Sequence, residues 1–314
     1  MATNTMTTRE FFQANSSIVM KLYSNSTPME PVVYPELFND WDFPEDRSFA
    51  TVLSIAGFGV LQERTEGALP AVDVAREAAR SSFAWTTYAL RYFVSKEAMR
   101  EDPKSLIPKL PGLLRYSSDQ TKEFLIWSIL NFAFNPAVPL AVNGLPLISA
   151  NIPCAANPAV TFSNLLLNVG LSVDALQAAI DLMAIMPDDR GVLLTSKTPR
   201  KLVFPTYLRK QATQTLQSFY YPGTSQNDVN PVAGVVDPLA VKYITAPFGG
   251  PYPWFVTAGK GELGTDSHAL FASVKWDEQE AHYDEDRKGM VHETEFRIMY
   301  DAVEQRGIVG SQGG

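Results

Sequence analysis

From Tyr88 the apolar residues fall on every second position, Tyr88, Leu90, Tyr92 and Val94, which is the period of an extended strand with one buried face. Ahead of this run, Gly57 and Gly59 bracket Phe58, and Gly67 closes the charged stretch Glu63-Arg64-Thr65-Glu66. Glycines at such places allow turns and bulges that other residues resist. Residues 57–102 therefore read as a long two-stranded arm with a charged tip. An arm that cannot bury both faces on its own body lies on a neighbour, so Gly57, Phe58, Gly59, Glu63, Arg64, Glu66 and Gly67 are the candidate assembly residues. Arg64 between two glutamates reads either as a local ion pair worth little or as a cross-subunit pair; a docking arm favours the second. Val72–Arg80 is rich in helix formers, yet within the arm we expect extended structure or a short helical turn near the tip.

Downstream the period changes to that of helices. Ser95 is placed to cap a short helix over 96–101, stopped by Asp102-Pro103. Ser117 or Ser118 begins the strongest helix, which runs to about Phe134. Phe124, Leu125, Ile129 and Phe132 share one face of it, and Ile126, Trp127, Leu130 and Phe134 widen the stripe almost all round, as in a helix buried over most of its surface. Asn135-Pro136 ends it, and Asn143-Gly144 suits the turn of a hairpin. Ser172 caps the next helix, with Asp174 in its first turn, Val173, Leu176, Ile180 and Met183 facing the core, and Pro187 at its end. Short apolar strands are expected at Val192–Leu194 and Leu202–Phe204. A helix capped by Thr206 and carrying Leu208, Ala212, Leu216 and Phe219 follows, then strands around Val235, Val241, Trp254 and His292–Tyr300. The polar stretch Lys275–Asp286 reads as a solvated acidic loop.

Residues 1–48 carry Pro28, Pro31, Pro35 and Pro44, which oppose regular structure, together with Tyr34, Leu37, Phe38, Trp41 and Phe43. A segment with apolar anchors and no core of its own is expected to lie along a partner surface; Tyr34, Phe38, Trp41 and Phe43 are its candidate anchors.

Composition narrows the function. At 314 residues, 46 % hydrophobic and 19 % charged, the chain has a substantial core and is globular. Its net charge of −8 argues against wrapping nucleic acid tightly, which needs clustered Lys and Arg. Cys154 is the single cysteine, so no intrachain disulfide forms. The N-terminus has no apolar signal-peptide core, and the most apolar stretch, 124–147, is too interrupted by Asn and Pro to span a bilayer.

Candidate chemistry is sparse. Asp277, Glu278, Glu280, His282, Asp284, Glu285 and Asp286 are hard-cation ligand types but lack the spacing of a calcium loop. Gly259-Lys260-Gly261 lacks the frame of a phosphate-binding loop, Cys154 has no neighbouring histidine, and no Gly-x-Ser-x-Gly elbow occurs. The residues thus point to no catalytic, cofactor-binding or metal site, and to no enzyme. The alternative from another class is a metal-dependent hydrolase built on the acidic cluster 277–286.

One resemblance organises these elements. The blocks GFGVLQERTEGALPAVD, YALRYFVSKEAMRED, LLRYSSDQTKEFLIWSILNFAF, NGLPLIS, SNLLLNVGLSVDALQAAI, DDRGVLL, KLVFP, GTSQNDVNP, WFVTAG and RGIVGSQG occur in an order that resembles the major capsid proteins of tailed bacteriophages with the Hong Kong 97-type fold, akin to those of Mu-like prophages. The resemblance covers Gly57 to the C-terminus. It implies an α+β fold with an N-terminal arm (1–48), an extended E-loop (49–95), a P-domain (96–187 and 276–300, its spine helix about 117–134) and an A-domain (188–275 and 301–314). It also implies self-assembly into the hexamers and pentamers of an icosahedral head around double-stranded DNA, which is touched only by weak nonspecific contacts. The implied partners are a portal protein, a scaffolding protein and a decoration protein, with no membrane. The expected location is the virion, assembled in the host cytoplasm. The family's usual His-Pro pair is replaced here by Ile152-Pro153, following Asn151.

Overall fold

The computed structural model describes residues 31–314 apart from 45, 57, 59–60, 62, 65–68, 71, 75, 102–105, 141–142, 195–196, 222–227, 246–251 and 262–266. In chain order, the strands β1 (Phe49–Ala56) and β2 (Arg76–Ala84) are followed by β3 (Thr86–Ser95), the short helix α1 (Lys96–Arg100) and the long helix α2 (Leu110–Asn131). A small hairpin, β4 (Ile152–Cys154) and β5 (Asn157–Phe162), and the two-residue β6 (Leu165–Leu166) lead to α3 (Val173–Ala184). Then come β7 (Lys201–Pro205), α4 (Arg209–Gln217), β8 (Asp237–Val241) and β9 (Trp254–Thr257). The long strands β10 (Leu270–Asp284) and β11 (Gly289–Ala302) precede the closing β12 (Ile308–Ser311).

These strands make a β1-β2 ribbon, a three-stranded antiparallel sheet in the order β10-β11-β3, a five-stranded mixed sheet in the order β6-β12-β9-β7-β8, and the β4-β5 hairpin. One core lies between α2 and the three-stranded sheet, where Ile126, Trp127 and Leu130 meet Phe296 and Ile298. A second lies under the five-stranded sheet, where Leu176 and Met183 of α3 and Ala212 and Leu216 of α4 meet Leu202, Phe204, Trp254 and Val256.

The period-two reading of β3 holds for Tyr88, Tyr92 and Val94, while Leu90 on the same face is 51 % exposed. Val94 is buried, and Tyr88 and Tyr92 stack on Phe296 and His292 with centroids 5.6 and 4.7 Å apart. The strand's partner differs from the expected one, because those two stacks hold β3 against β11. The two-stranded arm is therefore β1 with β2, and it ends at Ala84. Among the described residues of 72–80 there is no helix: β2 starts at Arg76, where cross-strand pairing with β1 outweighs helix propensity.

The long helix starts at Leu110, seven residues before Ser117. Pro111 lies in its first turn, where a fixed φ is preorganised for the helix. Ser117 and Ser118 are interior, and Ser117 O accepts from the Thr121 hydroxyl at 2.7 Å. The buried face also differs. Leu114, Ile126, Trp127 and Leu130 point inward, Leu125 and Ile129 are half-buried, and Phe124 and Phe132 are 63 % and 39 % exposed. An apolar stripe running almost all round carries little phase information. The charged Lys122 and Glu123 on the buried side remove the remaining signal.

Ser95 and Ser172 cap as expected, accepting from Ala98 N and Ala175 N at 3.2 Å each. Asn143-Gly144 turns the chain with Gly144 at φ +69°, and Leu140 N donates to Leu145 O at 2.9 Å. Val192–Leu194 is not a strand; Leu193 makes an isolated bridge to Pro187. Thr206 opens a 3-10 turn (Thr206–Leu208) and gives its hydroxyl to Val241 O instead of capping α4. Phe219 is exposed, and β8 begins after Val235. The acidic stretch is mostly strand: 275–284 belongs to β10 and is held there by pairing with β11.

Candidate assembly interface

The arm is packed at its root, and large apolar residues described beyond it are exposed. Ala50, Phe83 and Trp85 pack with Phe271, Met299 and Val303, and the Phe83 ring meets Phe271 edge-on at 5.0 Å. Trp85 donates its backbone N–H to Ser48 O and its indole to Pro44 O, while Arg297 lies 5.5 Å over its ring. Further out the burial ends. Phe58 is 70 % exposed, Leu61 96 %, Leu69 92 % and Val72 91 %. Glu63 and Arg64 are exposed beside them. Gly57, Gly59, Glu66 and Gly67, named from the sequence as assembly residues, lie outside the described residues. Leu61, Leu69 and Val72 were not singled out from the sequence; their signal was a set of large apolar residues scattered through a stretch with no period of its own.

The N-terminal anchors do not stand free for a partner. Phe38 is buried edge-on against Trp127 at 5.3 Å, Trp41 stacks on Phe271 at 5.1 Å, and Phe43 lies 5.2 Å from the same ring. Tyr34 packs against the first core, and burial with Glu123 nearby pushes its pKa up to about 12. The prolines that prevent a regular core of its own do not stop this strap from completing the cores beneath it. Its backbone is satisfied by fixed groups. Val33 N and Tyr34 N donate to Glu123 Oε1, and Trp127 Nε1 donates to Glu123 Oε2 at 2.5 Å. Asn39 Nδ2 donates to His268 O and Leu270 O at 2.9 Å each, and Asn39 Oδ1 accepts from Gly261 N at 2.8 Å. A buried carboxylate with three donors is a strong clamp. Its sequence signal was a Lys-Glu pair directly before the apolar run that starts at Phe124.

The acidic cluster is divided by its strand. Asp277 forms a 2.7 Å ion pair with the buried Lys122 of α2, which also lies 5.2 Å over the Phe296 ring. Glu278 and Glu280 pair across strands with Glu295 and Glu293, and Asp284 Oδ1 accepts from Asp286 N and Arg287 N in the turn. Among the described residues, no three His, Cys, Asp or Glu side chains are grouped so that they could hold a metal ion. Cys154 is buried, and desolvation raises its thiol pKa, the opposite of an activated nucleophile. Among the described residues, no helix is long and apolar enough to cross a membrane.

His268 gives the strap a pH dependence. The imidazole is fully enclosed, and Nδ1 accepts from Leu270 N at 3.3 Å. Desolvation, with the cations Lys197 and Lys260 nearby, lowers its pKa to about 4. The folded protein therefore keeps it neutral, while the unfolded chain protonates it below about pH 6.5. Its contribution is complete above pH 6.5 and is lost as pH falls toward 4. A shift of that size corresponds to roughly 3 kcal/mol. His268→Asn, which retains an acceptor for Leu270 N, is expected to flatten the fall in Tm between pH 6.5 and 4. A slope equal to that of the wild type would show that another group carries it.

Comparison with known proteins bears on the same residues. The family model for phage capsid protein matches residues 78–309. The capsid of bacteriophage JBD30 superposes with a TM-score of 0.57 at 11 % identity, covering 71 % of this chain and 94 % of that one. A structure from Mycobacterium phage Patience gives 0.52 at 12 %, covering 97 % and 86 %. The capsid of cyanophage P-SCSP1u gives 0.53 at 13 %, covering 91 % and 89 %. No curated protein matches the chain. The fold is thus the Hong Kong 97-type α+β fold that the sequence resemblance implied. With the family match spanning most of its length, the chain belongs to the phage capsid protein family and is a structural component of a tailed-phage virion.

Proposed function

We propose that this chain is the major head subunit, that copies of it close into hexamers and pentamers around double-stranded DNA, and that the β1-β2 arm is the element binding each copy to its neighbour. The observation that carries the arm's role is the near-complete exposure of Phe58, Leu61, Leu69 and Val72 beyond a well-buried root. Large apolar side chains left in water beyond the end of a two-stranded ribbon mark a contact surface. The partner is a second copy, because heterologous contacts between identical subunits generate closed rings. Glu63 and Arg64 then serve as the polar rim of that contact, where charges set orientation more than affinity.

In this reading α2 and the three-stranded sheet form the P-domain, with α2 as spine helix, and the five-stranded sheet forms the A-domain. Because α3 shares the core of the five-stranded sheet, we set the boundary before residue 173 and not at 187. The capsid of phage JBD30 is decorated with minor capsid protein trimers; a decoration protein, a portal and a scaffold are the further partners we assign to this subunit. The role is structural and not catalytic.

Hydrogen exchange tests the arm directly. The amides of Phe58, Leu61, Leu69 and Val72 are expected to exchange freely in isolated subunits and to be protected in shells, while 33–43 are protected in both. Equal exchange of these four amides in the two states would remove the arm from the contact.

A further inference from the structure

We propose that Arg190 is a positioning residue for assembly, fixing the direction in which the arm leaves the body. The inference rests on the reading of the arm as the assembly element, and adds a second support that sets its angle. Arg190 Nη1 lies 2.7 Å from Asp73 Oδ2, and Nη2 donates to Val74 O at 2.8 Å. The Arg190 side chain is only 16 % exposed. A planar fork satisfying a carboxylate and a carbonyl on adjacent residues fixes direction as well as distance.

The loop that carries Arg190 is built to hold it still. Asp188 Oδ1 accepts from Arg190 N and Val192 N at 2.8 Å each, and Gly191 N donates to Asp188 O at 3.1 Å. Gly191 has φ +88°, and a Cβ there would meet Val160 Cγ2 at 3.0 Å, so the turn demands glycine. The next residue back is tied down too. Ala156 N donates to Asp189 O at 2.9 Å, and Asp189 pairs with the buried Arg306 at 2.9 Å, which also donates to Pro187 O at 2.7 Å. An exposed surface pair worth little for stability would not need such a mount.

Its position along the arm gives the mount a purpose. The arm's first support is the cluster around Phe83, and Asp73 lies ten residues away along β2 and its lead-in. Along β2 itself, from Phe83 to Arg76, about 3.3 Å per residue gives roughly 23 Å, with Asp73 beyond it. A two-stranded ribbon held only at its root is marginally stable and swings; held again near Asp73, it keeps one direction. The bare apolar residues of the tip lie at or beyond this second support. Holding the ribbon in its binding geometry lowers the ordering cost of every contact the tip makes, and a fixed angle lets identical contacts close into shells of one size.

The test uses the full chain with Arg190→Ala, Asp73→Asn, Arg190→Lys and the exchanged pair Asp73→Arg/Arg190→Asp. In free subunits, Arg190→Ala and Asp73→Asn are expected to speed amide exchange over residues 76–80 at least about tenfold, with Tm nearly unchanged. Their particles should be of mixed diameter or open in electron micrographs. Arg190→Lys keeps the charge but loses the fork and should be intermediate, and the exchanged pair should recover uniform particles. Uniform shells and unchanged exchange in both Arg190→Ala and Asp73→Asn would overturn the proposal. Failure of the underlying reading looks different, because shells would then form even when the tip's apolar residues are removed.

Discussion

Trp127→Ala is expected to cost about 3–5 kcal/mol, the range for removing a large buried aromatic. The indole is fully buried in the core between α2 and the three-stranded sheet, and Phe38 of the strap packs edge-on against it at 5.3 Å. Truncation therefore opens a cavity under two elements at once. It also takes the indole N–H from Glu123, a buried carboxylate that holds the strap backbone, and unmaking a buried polar contact costs more than its net worth. Against a typical stability of about 5–15 kcal/mol, much of the variant should be insoluble. Phe124→Ala, on the exposed side of the same helix, should cost less than half as much. Urea denaturation of the two variants settles the phase of α2; equal losses would mean that the buried face is misassigned.

The comparison of these two positions shows why parts of the fold were legible and others not. Local chemistry was readable where one residue type has one use. Ser95 and Ser172 sit directly before helical runs and cap them, and alternation over Tyr88–Val94 has one extended solution with its core face set. The buried face of α2 was not readable, because its C-terminal half from Phe124 is apolar at nearly every position and the charged pair Lys122-Glu123 is turned inward to meet Asp277 and the strap. Long-range partners were equally hidden. That β3 pairs with β11 instead of the arm depends on Phe296 and His292, some two hundred residues away. The strap misled for a related reason: prolines and sparse anchors describe a segment without its own core, and the sequence does not say whose core it completes. Within the candidate site, the arm was expected over residues 57–102, whereas the ribbon pairs Phe49–Ala56 with Arg76–Ala84, and Gly57, Gly59, Glu66 and Gly67 lie outside the described residues. The arm's apolar tip and the Arg190 support were not legible, since neither has a periodic pattern and the support joins residues 117 apart.

The arm should decide assembly without deciding folding. Phe58, Leu61 and Leu69 contribute nothing to the described cores, so their loss should leave the Tm of the subunit unchanged. Buried against a neighbour, large apolar side chains are worth roughly 1.5–3 kcal/mol each, or about 5–9 kcal/mol for three. Association itself costs an estimated 4–15 kcal/mol, so a subunit stripped of this contact falls short of closure, and the deficit repeats at every position in the shell. The direct measurement is electron microscopy with light scattering on the purified Phe58→Ser/Leu61→Ser/Leu69→Ser variant beside the wild type. The account predicts closed megadalton shells from the wild type, and folded monomers or small oligomers with the wild-type melting curve from the variant. Normal closed shells from the variant would contradict it.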